Sequence, residues 1–243
     1  MNHGNRNDWS QTKIEQLLDA AGRIPEPGQR IAFISAAFLG TAYLADTLIG
    51  SIEMPEEFVL RLDGVDCFTL LDYVEALRRA ATFDDFKETL RRIRYQGGHV
   101  NFLNRNHFFS EWGHGDFAQL RDVTALVAGE NIHRVEKQLN QKADGSLYLP
   151  GYPVKKRELT FIPPEAFNRA VLDRLHSGDY VGIYSPDPGL DVSHSGIVIK
   201  QTGKVFLRHA SSSRPLAQVV DEELLSYLSG KKGLIIYRPI DAN

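Results

Sequence analysis

The hydrophobic period changes along the chain, and that change restricts the fold more than any other feature. Up to about residue 95, apolar residues recur at the three- and four-residue spacing of a single helical face. Ser10 can cap a first helix bearing Ile14, Leu17, Leu18 and Ala21, which ends before Pro25 and Pro27. A second follows Pro27, turns Ile31, Ile34, Ala37 and Phe38 inward, and stops at Gly40. After an irregular stretch over residues 41–66, a third helix begins near Cys67 with Leu70, Leu71, Val74 and Leu77 on one side, and Arg78 and Arg79 toward its end. A fourth covers residues 84–95, with Phe86, Leu90 and Ile93 inward. Later the pattern shortens to β-branched and aromatic runs at residues 180–185, 194–200, 205–210 and 234–238. Asp187-Pro188-Gly189 and Thr202-Gly203 are turn signals, and the second predicts an antiparallel hairpin. Two further helices are predicted over residues 164–175 and 221–228. Helices first and an antiparallel sheet later make the fold class α+β.

Composition narrows the function classes. The 243 residues are 42% hydrophobic and 24% charged, which excludes disordered and collagen-like chains. A chain of this length buries roughly 70–75% of its unfolded surface, so its core needs no staple. Lys and Arg number 28 against 31 Asp and Glu, a net −3, without the basic excess of a dedicated nucleic-acid binder. No apolar run approaches the ~20 residues of a membrane-spanning helix. The single cysteine, Cys67, excludes an internal disulfide framework and a zinc site built on several thiolates. Met1 to Trp9 has no apolar core and does not read as a signal peptide.

Cys67 lies where a loop enters a helix, in Asp66-Cys67-Phe68-Thr69. Unpaired first-turn amides and the positive dipole end favour a thiolate there, although free cysteines also serve as small buried hydrophobes. A nucleophilic thiol needs a base, and the base an orienting group. His194 opens one strand and His209 closes the next; a turn at Thr202-Gly203 would lay them near one end. Nucleophile at a helix start, base on a strand and polar partner on its neighbour is the logic of a catalytic triad. Each histidine taken singly reads equally as a hydrogen-bonded core or surface residue.

Phe38-Leu39-Gly40-Thr41-Ala42-Tyr43, Asp66-Cys67-Phe68-Thr69, His194-Ser195-Gly196-Ile197 and His209-Ala210-Ser211-Ser212-Ser213 occur in the order seen in NlpC/P60 cysteine peptidases. More narrowly, the chain resembles the DUF1460 branch, the N-acetylmuramoyl-L-alanine amidase-like family. Arg105-Asn106-His107-Phe108-Phe109-Ser110-Glu111-Trp112 is similar to another block of that branch, and the resemblance runs from about Phe38 to Pro239. It implies an N-terminal helical extension over residues 1–37 and a catalytic domain over 38–243, helical to about 178 and β from about 179. The implied core is papain-like, a helix bearing Cys67 packed on an antiparallel sheet or barrel. By the family pattern Cys67 is nucleophile, His194 general base and His209 the orienting residue. Asp66 matches an acidic position that meets a substrate amine, and Tyr43 the tyrosine that approaches the thiol. Ala42 stands where the family has proline, a change that would loosen the turn. The implied reaction is hydrolysis of the bond between N-acetylmuramic acid and L-alanine in a peptidoglycan fragment. In it, His194 starts protonated in an ion pair with Cys67, and no metal or cofactor takes part. The partner is a muropeptide, with no nucleic acid, no transmembrane segment and a monomer favoured. The expected location is the periplasm or envelope if a leader has been removed, and the cytoplasm otherwise.

Other features divide between site and scaffold. His107, Glu111 and His114 have metal-ligand spacing, but Gly113 and Gly115 argue against the continuous helix that would align them. His107 and Trp112, with Phe108 and Phe109, read as a cleft wall or an aromatic mini-core. Ser193 flanks the base; Ser211 and Ser212 either bind a substrate carboxylate or form a turn. Arg78, Arg79, Lys87, Arg91, Arg92 and Arg94 read as a solvated face paired with Asp84, Asp85 and Glu88. Residues 140–157 read as a loop bordering the cleft. Rival functions are a γ-D-glutamyl–diamino acid endopeptidase, a lipid acyltransferase or thioesterase, and a non-catalytic wall-binding module. Cleavage products separate the first from the amidase, and the second calls for an apolar groove or membrane helix. A thiol inert to iodoacetamide at pH 6 would mark the third.

Overall fold

The computed structural model describes residues 9–114, 120–215 and 217–240. The Ser10 hydroxyl accepts from the Lys13 amide at 3.4 Å and starts α1 (Gln11–Gly22). The Glu26 carboxylate accepts from Gly28 and Gln29 and starts α2 (Pro27–Ala36). Two short strands, β1 (Ala42–Tyr43) and β2 (Gly64–Val65), pair in parallel and lead into α3 (Cys67–Arg79), which is followed by α4 (Phe83–Arg94). Ala42 faces Gly64 on one side and Gln218 on the other, so the turn expected to be loosened at Ala42 is held by backbone pairing on both flanks.

The remaining elements are β3 (Leu120–Asp122), α5 (Thr124–Ala128), β4 (His133–Leu139), β5 (Lys155–Phe161), α6 (Arg169–Arg174), β6 (Tyr180–Tyr184), β7 (Val192–Gln201), β8 (Lys204–Ala210), β9 (Val219–Glu223), α7 (Leu224–Tyr227) and β10 (Leu234–Pro239). Six strands form one antiparallel sheet in the order β3-β10-β6-β7-β8-β9, while β4 and β5 pair as a separate arm. The β7–β8 hairpin turns on Thr202 (φ 51°) and Gly203 (φ 76°), between the paired Gln201 and Lys204. Two successive left-handed residues make the tight turn whose twist matches the strands, and glycine adopts that conformation without steric cost.

Period-two alternation splits β7 between two cores. Ile197 and Ile199 face the cluster built around α1–α4, with Leu70, Leu71, Val74 and Leu77 of α3. Val198 joins Val205 and Leu207 of β8 on the opposite face, against Val127, Val171 and Leu224. The helix α3 is buried along nearly its whole length, from Thr69 to Arg78. Its start is therefore fixed against the sheet by extensive apolar burial, each fully buried aliphatic side chain contributing about 1.5–3 kcal/mol. The result is a mixed α/β fold with seven α-helices among the described residues, none long and apolar enough to cross a membrane.

Five expectations need correction. Only Leu224–Tyr227 of the predicted 221–228 helix is helical, because Val219–Glu223 pairs with β8 as an edge strand. The predicted 164–175 helix is a 3₁₀ turn at Pro164–Ala166 followed by α6, restarted by the Asn168 side chain accepting from the Val171 amide. The part expected to be helical up to about residue 178 holds β1 to β5, and the 140–157 loop runs into β5 at Lys155. The basic face is only partly solvated. Lys87, Arg91 and Arg92 pair with Asp84 and Glu88 near the surface, but Arg94 is buried against Asp72 at 2.9 Å and Arg78 against Glu75 at 2.6 Å.

Candidate active site

Asp66 fixes the start of α3. Its Oδ1 accepts from the Phe68 amide (2.9 Å), the Thr69 amide (2.7 Å) and the Thr69 hydroxyl (2.9 Å), while Thr69 Oγ1 accepts from the Asp66 amide. This reciprocal cap makes Cys67 the first helical residue, at the donor-rich end of the dipole. The Ser195 hydroxyl donates to the Cys67 carbonyl at 3.0 Å and ties that end to β7.

On β7 and β8, His194 and His209 meet edge-on, ring centroids 4.9 Å apart, with His194 Nε2 2.7 Å from His209 Nδ1. His209 Nε2 lies 2.9 Å from Glu222 Oε1 on β9. Glu222 pairs with Leu207 and His209 with Val220, so the two form a diagonal cross-strand pair on one face. Tyr227 of α7 covers both imidazoles, at 6.0 Å from His194 and 5.0 Å from His209.

Cys67, His107, Ser193 and His194 line a single cavity of about 240 Å³, walled by Phe68, Phe108, Phe109, Tyr148, Leu149 and Val192. A second cavity, about 470 Å³, touches Asp66 and shares Leu149; Asp46, Thr47, Ser51 and Arg105 are in its lining. His107 is wedged between Phe102 and Tyr152 with Nε2 2.8 Å from the Phe102 carbonyl, and burial lowers its pKa. Burial first, then the charges of Cys67, Asp66 and Asp46, raise the pKa of Tyr43, which lines neither cavity.

Three further expected site residues are elsewhere. Trp112 is 5% exposed, packed edge-on against Tyr180 and tilted on Phe68, and belongs to the core. Ser211 is buried, bonding through its backbone to Gln218, and Ser212 is exposed; neither lines either cavity. Glu111 is committed to Lys155, Tyr152 and the Phe108 amide, and His114 to the Ser110 carbonyl. No cluster of three metal-ligating side chains exists among the described residues. Sequence reasoning missed Glu222, Tyr227 and Asp191. Buried Asp191 lines the smaller cavity and braces its wall, accepting from the Ser110 and Val192 amides at 2.7 Å. A strand assignment for residues 219–223 would have set Glu222 diagonally across from His209; no sequence signal marks Asp191.

The electrostatics also depart from the expected resting ion pair. Burial raises the Cys67 thiol, the Asp66 charge adds to that, and hydrogen bonding with Ser195 opposes it. Burial, then the charges of His209 and Lys231, push His194 down to about 3. Desolvation thus leaves both groups neutral at rest. Slow alkylation at pH 6 consequently does not separate an enzyme from a binding module.

Solved structures share this architecture. A DUF1460-family protein from Legionella pneumophila superposes with a TM-score of 0.79 at 23% identity, over 95% of this chain and 94% of that one. Two N-acetylmuramoyl-L-alanine amidase structures from Bacteroides uniformis give 0.74 at 25% identity (88% and 99% covered) and 0.70 at 26% (85% and 97%). No curated protein matches the chain. Fold and comparisons together define a mixed α/β protein of the amidase-like class. The chain belongs to the AmiA-like family, described as N-acetylmuramoyl-L-alanine amidase-like, whose model matches residues 33–234.

Proposed function

We propose that the protein is a cysteine amidase of the NlpC/P60 type, with a papain-like core, that hydrolyses the N-acetylmuramoyl–L-alanine bond of peptidoglycan fragments. The observation that carries this reading is the convergence of Cys67, at the capped start of α3, and His194, backed by His209, on one cavity of an amidase-like chain. His194 takes the thiol proton as Cys67 Sγ attacks the lactyl carbonyl, and the helix-start amide of Cys67 donates to the developing oxyanion. His194 passes that proton to the alanine nitrogen, the C–N bond breaks, and a thioester remains. Water then attacks the thioester, giving its proton to His194; the C–S bond breaks and the proton returns to sulfur.

This chemistry orients the substrate. The departing nitrogen must meet His194, so the stem peptide occupies the smaller cavity, with Phe108, Phe109, His107 and Ser193 around it. The sugar lies on the Asp66 side, where Thr47, Ser51 and Asp46 offer partners for hydroxyls. An alanine acylated at nitrogen has no free amine, and Asp66 acts instead through the helix cap. Such a substrate is compatible with a periplasmic or cell-envelope location and equally with a cytoplasmic one. Mass spectrometry of muropeptides treated with wild type and Cys67→Ala tests the reading. Free stem peptide beginning with L-alanine, absent with the variant, is expected; a sugar fragment still bearing L-alanyl-D-glutamate would move the assignment to the endopeptidase.

A further inference from the structure

The histidine pair ends on a carboxylate that the reaction above does not use. A carboxylate accepts hydrogen bonds and donates none, so the 2.9 Å contact to Glu222 requires the proton of His209 to sit on Nε2. In a neutral ring Nδ1 is then bare and must accept. The 2.7 Å contact to His194 therefore requires the His194 proton on Nε2, donating, which leaves Nδ1 of His194 as its lone-pair nitrogen.

We infer that Glu222 is a positioning residue that, acting through His209, selects the His194 tautomer able to take the Cys67 proton at Nδ1. The inference rests on the reading of His194 as the base. Without Glu222, His209 can carry its proton on Nδ1 and donate to His194 Nε2. The remaining proton of neutral His194 then sits on Nδ1, the nitrogen that has to receive one. Glu222 also lies at the far end of the chain of rings over which positive charge develops when His194 is protonated, a stabilising arrangement. Protonating His209 would have the same inverting effect as losing Glu222. Burial opposes that protonation, while Glu222 favours it. The groups facing His209 are Glu222 and Asp221 from β9, Lys231 and Tyr227 from α7 and its end, and His194 from β7; His194 in turn shares its cavity with Cys67 of α3. The position suits a positioning role, since β9 is an edge strand and the Glu222 side chain keeps 40% of its exposure.

Imidazole ¹⁵N spectra of the full chain, labelled at its eight histidines, read the tautomers without any substrate. Signals are assigned with His194→Asn and His209→Asn. The wild type at pH 7 should show both rings protonated at Nε2 alone. Glu222→Ala should give mixed tautomers at both rings, and Glu222→Gln, whose amide can accept or donate, a partial mixture. In turnover assays Glu222→Ala should lower kcat about 100-fold with KM changed less than about threefold, the split expected when a base is misset rather than a subsite lost. A proton on Nδ1 of His194 in the wild type, or spectra unchanged by both substitutions, overturns the inference. Should Glu222→Ala fail to fold, the wild-type and Glu222→Gln spectra decide alone. Muropeptide cleavage persisting in Cys67→Ala would instead overturn the amidase reading and leave the tautomer result standing.

Discussion

His194 carries the largest electrostatic consequence at the scale of single residues. Its pKa falls from 6.5 to about 3 in the folded protein, chiefly through burial. The unfolded chain therefore takes up a proton near pH 6.5 that the folded chain refuses until about pH 3. Stability from this group is complete above pH 6.5 and drains away as pH falls through that window, by about 1.4 kcal/mol per pH unit. Urea unfolding between pH 7 and 4 should lose stability less steeply in His194→Gln than in the wild type, by about that slope. The same depression moves the acid limb of kcat/KM below pH 5; a limb centred at 6.5 would show an imidazole far better solvated than the structure has it. That His194 and His209 lie side by side, and that Cys67 starts a helix, was legible in the sequence because Thr202-Gly203 marks the hairpin and Asp66 and Thr69 mark the cap. Trp112 was not, since Phe108, Phe109 and Trp112 read alike as aromatics, and only packing against Tyr180 assigns Trp112 to the core.

Among the elements, α3 unites stability and chemistry. The cap that positions Cys67 also satisfies the first-turn amides, so Asp66→Ala should cost about 0.5–2 kcal/mol and lower activity together. Leu71→Ala, fully buried one turn further on, should cost about 2–5 kcal/mol while leaving KM unchanged in the folded fraction. Chemical denaturation alongside steady-state kinetics separates the two behaviours. Helices α1 to α4 were readable because their apolar stripes are clean and their caps local. Strand β9 was not, as Asp221, Glu222 and Glu223 carry no strand alternation and gain their pairing only from β8. That misreading concealed Glu222. The β4–β5 arm was hidden similarly, its alternation masked by charged residues such as Arg134, Glu136, Lys156 and Glu158.

Across the whole molecule, the sheet separates two cores, while the start of α3 and the first residues of β7 line the smaller of two cavities that share Leu149. The order of helices and strands foretold this layering; the cavities depend on loops 44–56 and 140–154, whose shape no periodicity encodes. In the proposed reaction Cys67 is acylated by the muramoyl half of the substrate. Mass spectrometry of the intact and digested protein after rapid acid quench, with excess muropeptide, detects that acyl-enzyme. A transient adduct with the mass of the lactyl-bearing sugar fragment is expected on the peptide containing Cys67, and none in Cys67→Ala. An adduct carrying L-alanyl-D-glutamate in addition to the sugar would contradict the bond assignment, and cleavage without any adduct that survives in Cys67→Ala would contradict the nucleophile.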